Sequence, residues 1–293
     1  MADSANTTSP PTARRWLVTG AVALAIVSVY LSTRSGSLGH RSVAEEDYEL
    51  PIGQEIDRVR IEIQSGTVGV AAAPAPVVAV SAGVRRAADS AEDLATIEQL
   101  PIRLAAAPDP SRPGTLVLRG AALPATHTGV FAYDLTLRVP PSIAVEVAIA
   151  GSGHVTMADR TGRIDASTGR GDLRFERCHA VVHAKTGRGN VIAFDHRGDL
   201  RLLTDVGDMQ AFVEQAGREL EMSTGQGTVQ CVVPAGLEFD LDARAEMGRI
   251  GADFDLVAER VGEFGASLVG RRGNASTKVV LRTGKGHLAF RAR

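Results

Sequence analysis

Large aromatic side chains are scarce in this chain: one Trp, three Tyr and eight Phe among 293 residues. That excludes a core built on stacked rings and fits a narrow one filled by Val, Leu, Ile and Ala. A basic excess is also missing. Lys plus Arg is 32 against 34 for Asp plus Glu, a net charge of −2. A nucleic-acid binder would carry a basic surplus; here Arg85-Arg86 and Arg271-Arg272 are isolated pairs. Catalytic signatures are lacking as well: there is no P-loop, no H-E-x-x-H and no G-x-S-x-G. No cofactor is implied. Cysteine is limited to Cys178 and Cys231, too few for a disulfide framework.

Long uncharged runs are rare too, and the one near the amino end is informative. Residues 1–13 are polar, contain Pro10-Pro11, and read as a disordered cytoplasmic tail. Arg14-Arg15 then precede an uncharged stretch from Trp16 to Thr33, closed by Arg34. As a helix it would span about 27 Å at ~1.5 Å per residue, close to the roughly 30 Å of a bilayer's hydrocarbon. Residues 14–34 therefore read as a transmembrane signal anchor with its basic pair on the cytoplasmic side; a cleaved signal peptide is the alternative. Either way the remainder lies in the periplasm or outside a bacterial cell. Residues 35–56 read as a polar linker with an acidic patch, Glu45-Glu46-Asp47.

What the second half does have is a repeated corner. Gly-x-Gly occurs at Gly151–Gly153, Gly169–Gly171, Gly187–Gly189, Gly225–Gly227 and Gly284–Gly286, and Gly207 fills the gap in the series. From Gly153 to Gly171, Gly189 and Gly207 the step is 18 residues; the step to Gly227 is 20. A fixed period of this size marks stacked units that cannot bury their apolar faces alone. Two positions after the aligned glycine stand Val155, Leu173, Val191, Met209, Val229 and Leu288. Seven before it stand Ile164, Val182, Leu200, Leu220 and Val279. Each unit thus carries two short runs with every second residue apolar, the pattern of strands with one buried face. Thr168, Thr186, Thr224 and Thr283 recur three positions before the glycine, and such a column suits stacked hydrogen bonding at a corner.

These features predict an all-β fold: a parallel β-solenoid of 18–21-residue rungs over residues 57–293, stacked at about 4.8 Å. An antiparallel sandwich would not hold the inward columns in phase over so many repeats. Asp89-Ser90 predicts one short helix over 89–99, carrying Leu94 and Ile97, placed to cover the open first rung. Residues 251–276 depart from the 18-residue step.

The pattern resembles the bacterial putative-adhesin family of β-strand repeats, a widespread domain of unknown function. The resemblance covers 57–293. It rests on Ile61–Val68, on Tyr133–Pro140, on the run Gly151–Val155 through Thr186–Val191, and on Val279–Leu288. It implies an extracytoplasmic solenoid behind a membrane anchor, and it carries no catalytic residues.

Four constellations bear on function. An outward column six before the glycine reads Asp165, His183, Arg201, Glu221. It is a candidate ligand-binding ladder for an envelope glycan or protein. Its carboxylates also admit a carbohydrate-active enzyme, although alternating signs are equally what neighbouring strands choose to avoid repulsion. A second outward column, Ile192, Phe194, Phe212 and Val232, is a candidate apolar interaction patch. It is covered either by the 251–270 segment with Phe254, Leu256, Val257 and Phe264, or by a partner. Cys178, His179, His183 and His196 are the only cluster with metal-ligand chemistry; solvated surface histidines are the expectation, and no metal is implied. Finally, Cys178 and Cys231 fall about three steps, roughly 14 Å, apart in the stack. That is too far for a disulfide. Two free thiols are expected, Cys231 in the core and Cys178 more accessible. The functional expectation is a membrane-anchored binding, adhesion or scaffold module of the cell envelope.

Overall fold

Alternation along the chain becomes strands with one dry face. In β9 (Ile164–Arg170), Ile164, Ala166 and Thr168 are buried while Ser167 is exposed. The structure is a computed structural model that describes residues 39–293 apart from 54, 74–76, 125–126 and 257–258. It is all-β apart from one helix among the described residues. The anchor expected at 14–34 lies outside them; within them no helix is long and apolar enough to cross a membrane.

The repeats pair in parallel, side by side. One ladder joins the first half of β8 (Ala144–Ala158) to β9, then to β11 (Val182–Arg188), and on to the second halves of β12 (Val191–Val206) and β13 (Met209–Gln226). Ile164, Val182, Leu200 and Leu220 are successive partners on it. A second ladder joins the rest of β8 to β10 (Leu173–Glu176). It continues through the first halves of β12 and β13 to β14 (Val229–Val233). The 18-residue period in sequence is therefore one step across both ladders.

The glycine corner is held by two columns of side chains. Thr168, Thr186, Thr204, Thr224 and Thr283 each donate a hydroxyl hydrogen bond to the carbonyl of the aligned glycine one step back: Gly153, Gly171, Gly189, Gly207 and Gly227, at 2.9–3.1 Å. The expected threonine column is thus observed, with Thr204 added to it. A further column was not anticipated. The residue after the glycine accepts from the backbone N–H of its counterpart one step on: His154 from Asp172, Asp172 from Asn190, Asn190 from Asp208, Asp208 from Thr228. Each such bond contributes about 1 kcal/mol net, more where the acceptor is ionised. Glycine is required between the columns. Gly189 has φ +150, and a Cβ there would stand 2.1 Å from the Gly171 carbonyl oxygen.

The stack departs from chain order at both ends. β2 (Arg58–Ile63) pairs on one side with β8 and on the other with β6 (Thr115–Arg119). β3 (Gly66–Ala72) likewise lies between β8 and β7 (Val130–Val139). At the far end, β19 (Thr277–Lys285) sits between β13 and β15 (Phe239–Met247), and β20 (Leu288–Ala292) between β14 and β16 (Ile250–Ala252). The last segment of the chain has been inserted one step inward.

Antiparallel strands close both ends. β1 (His40–Pro51) pairs with β4 (Val77–Ala88), which pairs with β7; β5 (Ala105–Pro108) pairs with β6. Opposite, β18 (Gly265–Arg272) pairs with β15, and β17 (Glu259–Val261) with β18. Two expectations are corrected here. Residues 40–51, read as linker, are the twelve-residue strand β1: Tyr48 and Leu50 are partly buried against the core, and alternation strong enough for that outweighs the acidic patch. The helix α1 (Ala91–Glu98) is capped by Ser90, whose side chain accepts from the Asp93 N–H. It packs on β4 and β1 rather than over an open first rung, with Ile97 buried.

Candidate functional site

The polar ladder assembles as its spacing implies. Asp165, His183, Arg201 and Glu221 are successive partners across four parallel strands. Their side chains are partly exposed and mutually engaged. His183 Nδ1 lies 3.4 Å from Asp165, and Arg201 Nε lies 2.9 Å from Glu221. Arg163 donates to Asp165 at 2.8 Å and reaches His183 Nδ1 at 3.0 Å. That hydrogen bond to the Asp165 carboxylate, more than burial opposes it, raises the Arg163 pKa above its ordinary value. The ladder extends backward through Glu146, the partner of Asp165, to Arg60, with a 3.3 Å ion pair between those two. Asp165 and Glu221 stand three steps apart, about 14 Å at ~4.8 Å per step.

The apolar column also forms. Phe194 and Phe212 stack with ring centroids 5.1 Å apart and planes 17° off parallel. The Arg174 guanidinium sits 5.0 Å over the Phe194 ring, and Val232 is the partner of Phe212. Ile192, Phe194 and Phe212 are half-buried and Val232 is buried. The described residues expected to cover them, Phe254, Leu256 and Phe264, pack elsewhere or stay exposed. Phe254 packs on Phe239 and Phe290, at 4.9 and 4.8 Å, closing the core at the far end of the stack. Leu256 joins the same core, and Phe264 is 63% exposed; Val257 lies outside the described residues.

The Cys/His cluster is split by the alternation that was expected to gather it. His179 and His183 face outward, while Cys178 and His196 are buried. Among the described residues no group of His, Cys, Asp and Glu could hold a metal ion. Cys178, expected to be accessible, is 1% exposed, and both thiols are free. Burial pushes the thiols up to about 11 for Cys178 and about 12 for Cys231. The missed signal is again the period. Arg160, Cys178 and His196 are 18 apart and line the inner side of the second corner. Each follows a non-glycine residue with positive φ: Asp159, Arg177 and Asp195. Arg160 donates to the Val139 and Ile143 carbonyls at 2.6 Å, tying down the Pro140-Pro141 crossover, and burial lowers its pKa to about 10. His196 has one ring nitrogen 3.2 Å from the Asp199 carbonyl; its Nδ1 is buried without a partner.

A fourth feature was not legible as a site: an open groove of about 910 Å³ where the antiparallel wall of β1, β4 and β7 meets the glycine corner. Five arginines and a histidine line it, against one aspartate. Arg85 is committed to Asp134 at 2.7 Å.

The geometry defines a class: an all-β protein of stacked parallel ladders with flat side-chain columns and one basic groove. No family model and no curated protein matches the chain. Three solved structures are similar in outline. A "putative cell adhesion protein" from Clostridium sporogenes ATCC 15579 has 10% identity and a TM-score of 0.39, over 86% of this chain and 100% of that one. A "putative adhesin" from Bacteroides fragilis NCTC 9343 has 10% identity and a TM-score of 0.34, over 85% and 96%. A "putative lipid binding protein" from Parabacteroides distasonis ATCC 8503 has 11% identity and a TM-score of 0.34, over 83% and 96%. Likeness at this level carries no argument about what this chain binds.

Proposed function

We propose that the chain is a β-solenoid binding or scaffold module of the bacterial cell envelope, held at the membrane by residues 14–34 and recognising an envelope glycan or protein along its outward columns. The solenoid reading is supported by columns that stay in parallel register from β2 to β15. The observation that carries the binding reading is the state of the ladder. Its carboxylates are ion-paired to Arg163 and Arg201 on an open face, and Asp165 and Glu221 are further apart than the roughly 5–9.5 Å that glycosidic acid–base pairs span. Polar groups spread at a regular spacing suit an extended, repeating ligand.

A second reading, a carbohydrate-active enzyme, draws on one observation: Glu146 and Asp165 are direct partners, one step apart. The test separates the two. The purified full chain is applied to an array of envelope glycans, and the bound glycans are then assayed for new reducing ends. Retention without cleavage, weakened at least about tenfold by Arg201→Glu, is expected, since reversing one charge in the ladder leaves Glu221 facing another carboxylate. Time-dependent cleavage abolished by Asp165→Asn would overturn the module reading in favour of the enzyme.

A further inference from the structure

Elsewhere in the sheet, like charges that stand as direct partners have an opposite charge beside them, Arg60 and Arg163 for Glu146 and Asp165, and Asp242 for Arg244 and Arg282; the basic groove departs from this. Along the ladder, Arg201 is paired with Glu221 and Asp165 with His183. Five residues past Asp165 and His183 on the same two strands, Arg170 and Arg188 are direct partners. Both are exposed, and neither guanidinium group has a hydrogen-bond or ion-pair partner among the described residues. Like charges placed directly opposite destabilise a sheet, so the fold gains nothing from this pair.

The groove around the pair is short of counter-charge. Its aspartate, Asp172, already accepts the Asn190 N–H at 2.7 Å through Oδ1. On the facing wall Arg86 is 6% exposed; its Nη2 donates to the Leu100 carbonyl, and its Nε is buried with no partner. The same wall carries two bare apolar side chains, Val43 at 68% and Val130 at 44% exposure. All this occurs in a chain whose net charge is −2, so the arginine excess belongs to the groove's lining and not to an overall basic surplus.

We propose that this groove binds a phosphate-bearing ligand, with Arg170 and Arg188 clamping the phosphate and the uncharged part of the molecule lying along Val43 and Val130. Two guanidinium groups rooted about 4.8 Å apart on adjacent strands present their forks to different oxygens of one tetrahedral anion. A planar carboxylate has only two oxygens and fills one fork. The phosphate's source is either a water-soluble or polymeric phosphate ester or a phospholipid headgroup. The inference is independent of what the ladder binds.

The test is titration calorimetry on the full chain with two soluble probes, glycerol 3-phosphate and dihexanoyl phosphatidylglycerol below its micelle concentration. Saturable binding that weakens with added salt is expected. It should drop at least about tenfold in Arg170→Gln/Arg188→Gln and stay within about twofold in Arg244→Gln, which removes an arginine far from the groove. Preference for the lipid probe assigns the headgroup; parity assigns the soluble ester. The double variant should melt at the same temperature as the parent or higher, because a repulsive contact is gone. Absence of saturation by either probe up to about 10 mM, equal affinity in the double variant, or a lower melting temperature for it would overturn the proposal.

Discussion

A single buried imidazole should set the acid limit of this molecule. His196 is fully buried in the second corner, with Asp199 and Gly198 offering backbone acceptors that only partly offset desolvation, and its pKa falls from 6.5 to about 4. The unfolded chain takes up the proton near pH 6.5 and the folded chain only near pH 4. Across that window the unfolded state binds more protons, so stability is full above about pH 6.5 and is lost as the pH falls toward 4. The shift of roughly 2.5 units corresponds to about 3 kcal/mol. Asp159, held low chiefly by its hydrogen bond from Arg177, titrates below this window and does not blur it. Thermal melts from pH 7 to 4.5 should show a steep fall in Tm for the parent and a shallower one for His196→Asn, which keeps a polar side chain without the titration. Parallel slopes would show that His196 does not carry the acid sensitivity. Its burial was missed in sequence for a physical reason. A histidine one residue from an exposed Arg197 looks solvated, and only its 18-residue spacing from Cys178 and Arg160 reveals the inward side of the corner.

At the scale of the repeat, the corner was the most legible part. The Gly-x-Gly signal and the threonine column predicted both the turn and its hydrogen bonding, because a conformation that excludes Cβ leaves a mark in composition. The residue after the glycine hid its role, since His, Asp and Asn share an acceptor function in the column without sharing an identity. Gly248 was also overlooked. It has φ +155 and stacks on Gly286, but it follows Gly227 by 21 residues and lacks the paired glycine. The corner makes a quantitative prediction. Gly189→Ala places a methyl against the Gly171 carbonyl and holds an alanine at positive φ, so it should destabilise by roughly 2–4 kcal/mol. At Gly236 a methyl would meet nothing within 4 Å, and Gly236→Ala should stay within about 0.5 kcal/mol. Denaturant midpoints measure both. Similar midpoints for the two variants would mean that the corner relaxes and that the glycine column is not a steric requirement.

The order of the stack is the part no local pattern could reveal. Alternation and corners say that β19 and β20 are strands of the repeat; they do not say that these strands lie between β13 and β15. Partner choice is decided by which edge is open when the chain returns, and here the return covers an apolar edge. Leu281 sits between Met222 and Ala243, and Phe290 between Cys231 and Ala252. Phe290 and Leu281 are fully buried. Removal of residues 277–293 therefore takes out an interior layer, not an end. β15 and β16 lose their parallel partners, and β13 and β14 are left with unpaired edges. The truncated protein should lose amide-exchange protection through β15, β16 and β18 together, and should associate through the uncovered β13–β14 edge. A stack built in chain order would behave differently, since β15 would remain paired to β13 and keep its protection. Retained protection in β15 after truncation, with the protein still monomeric, would refute the inserted layer and require the stack to follow the chain.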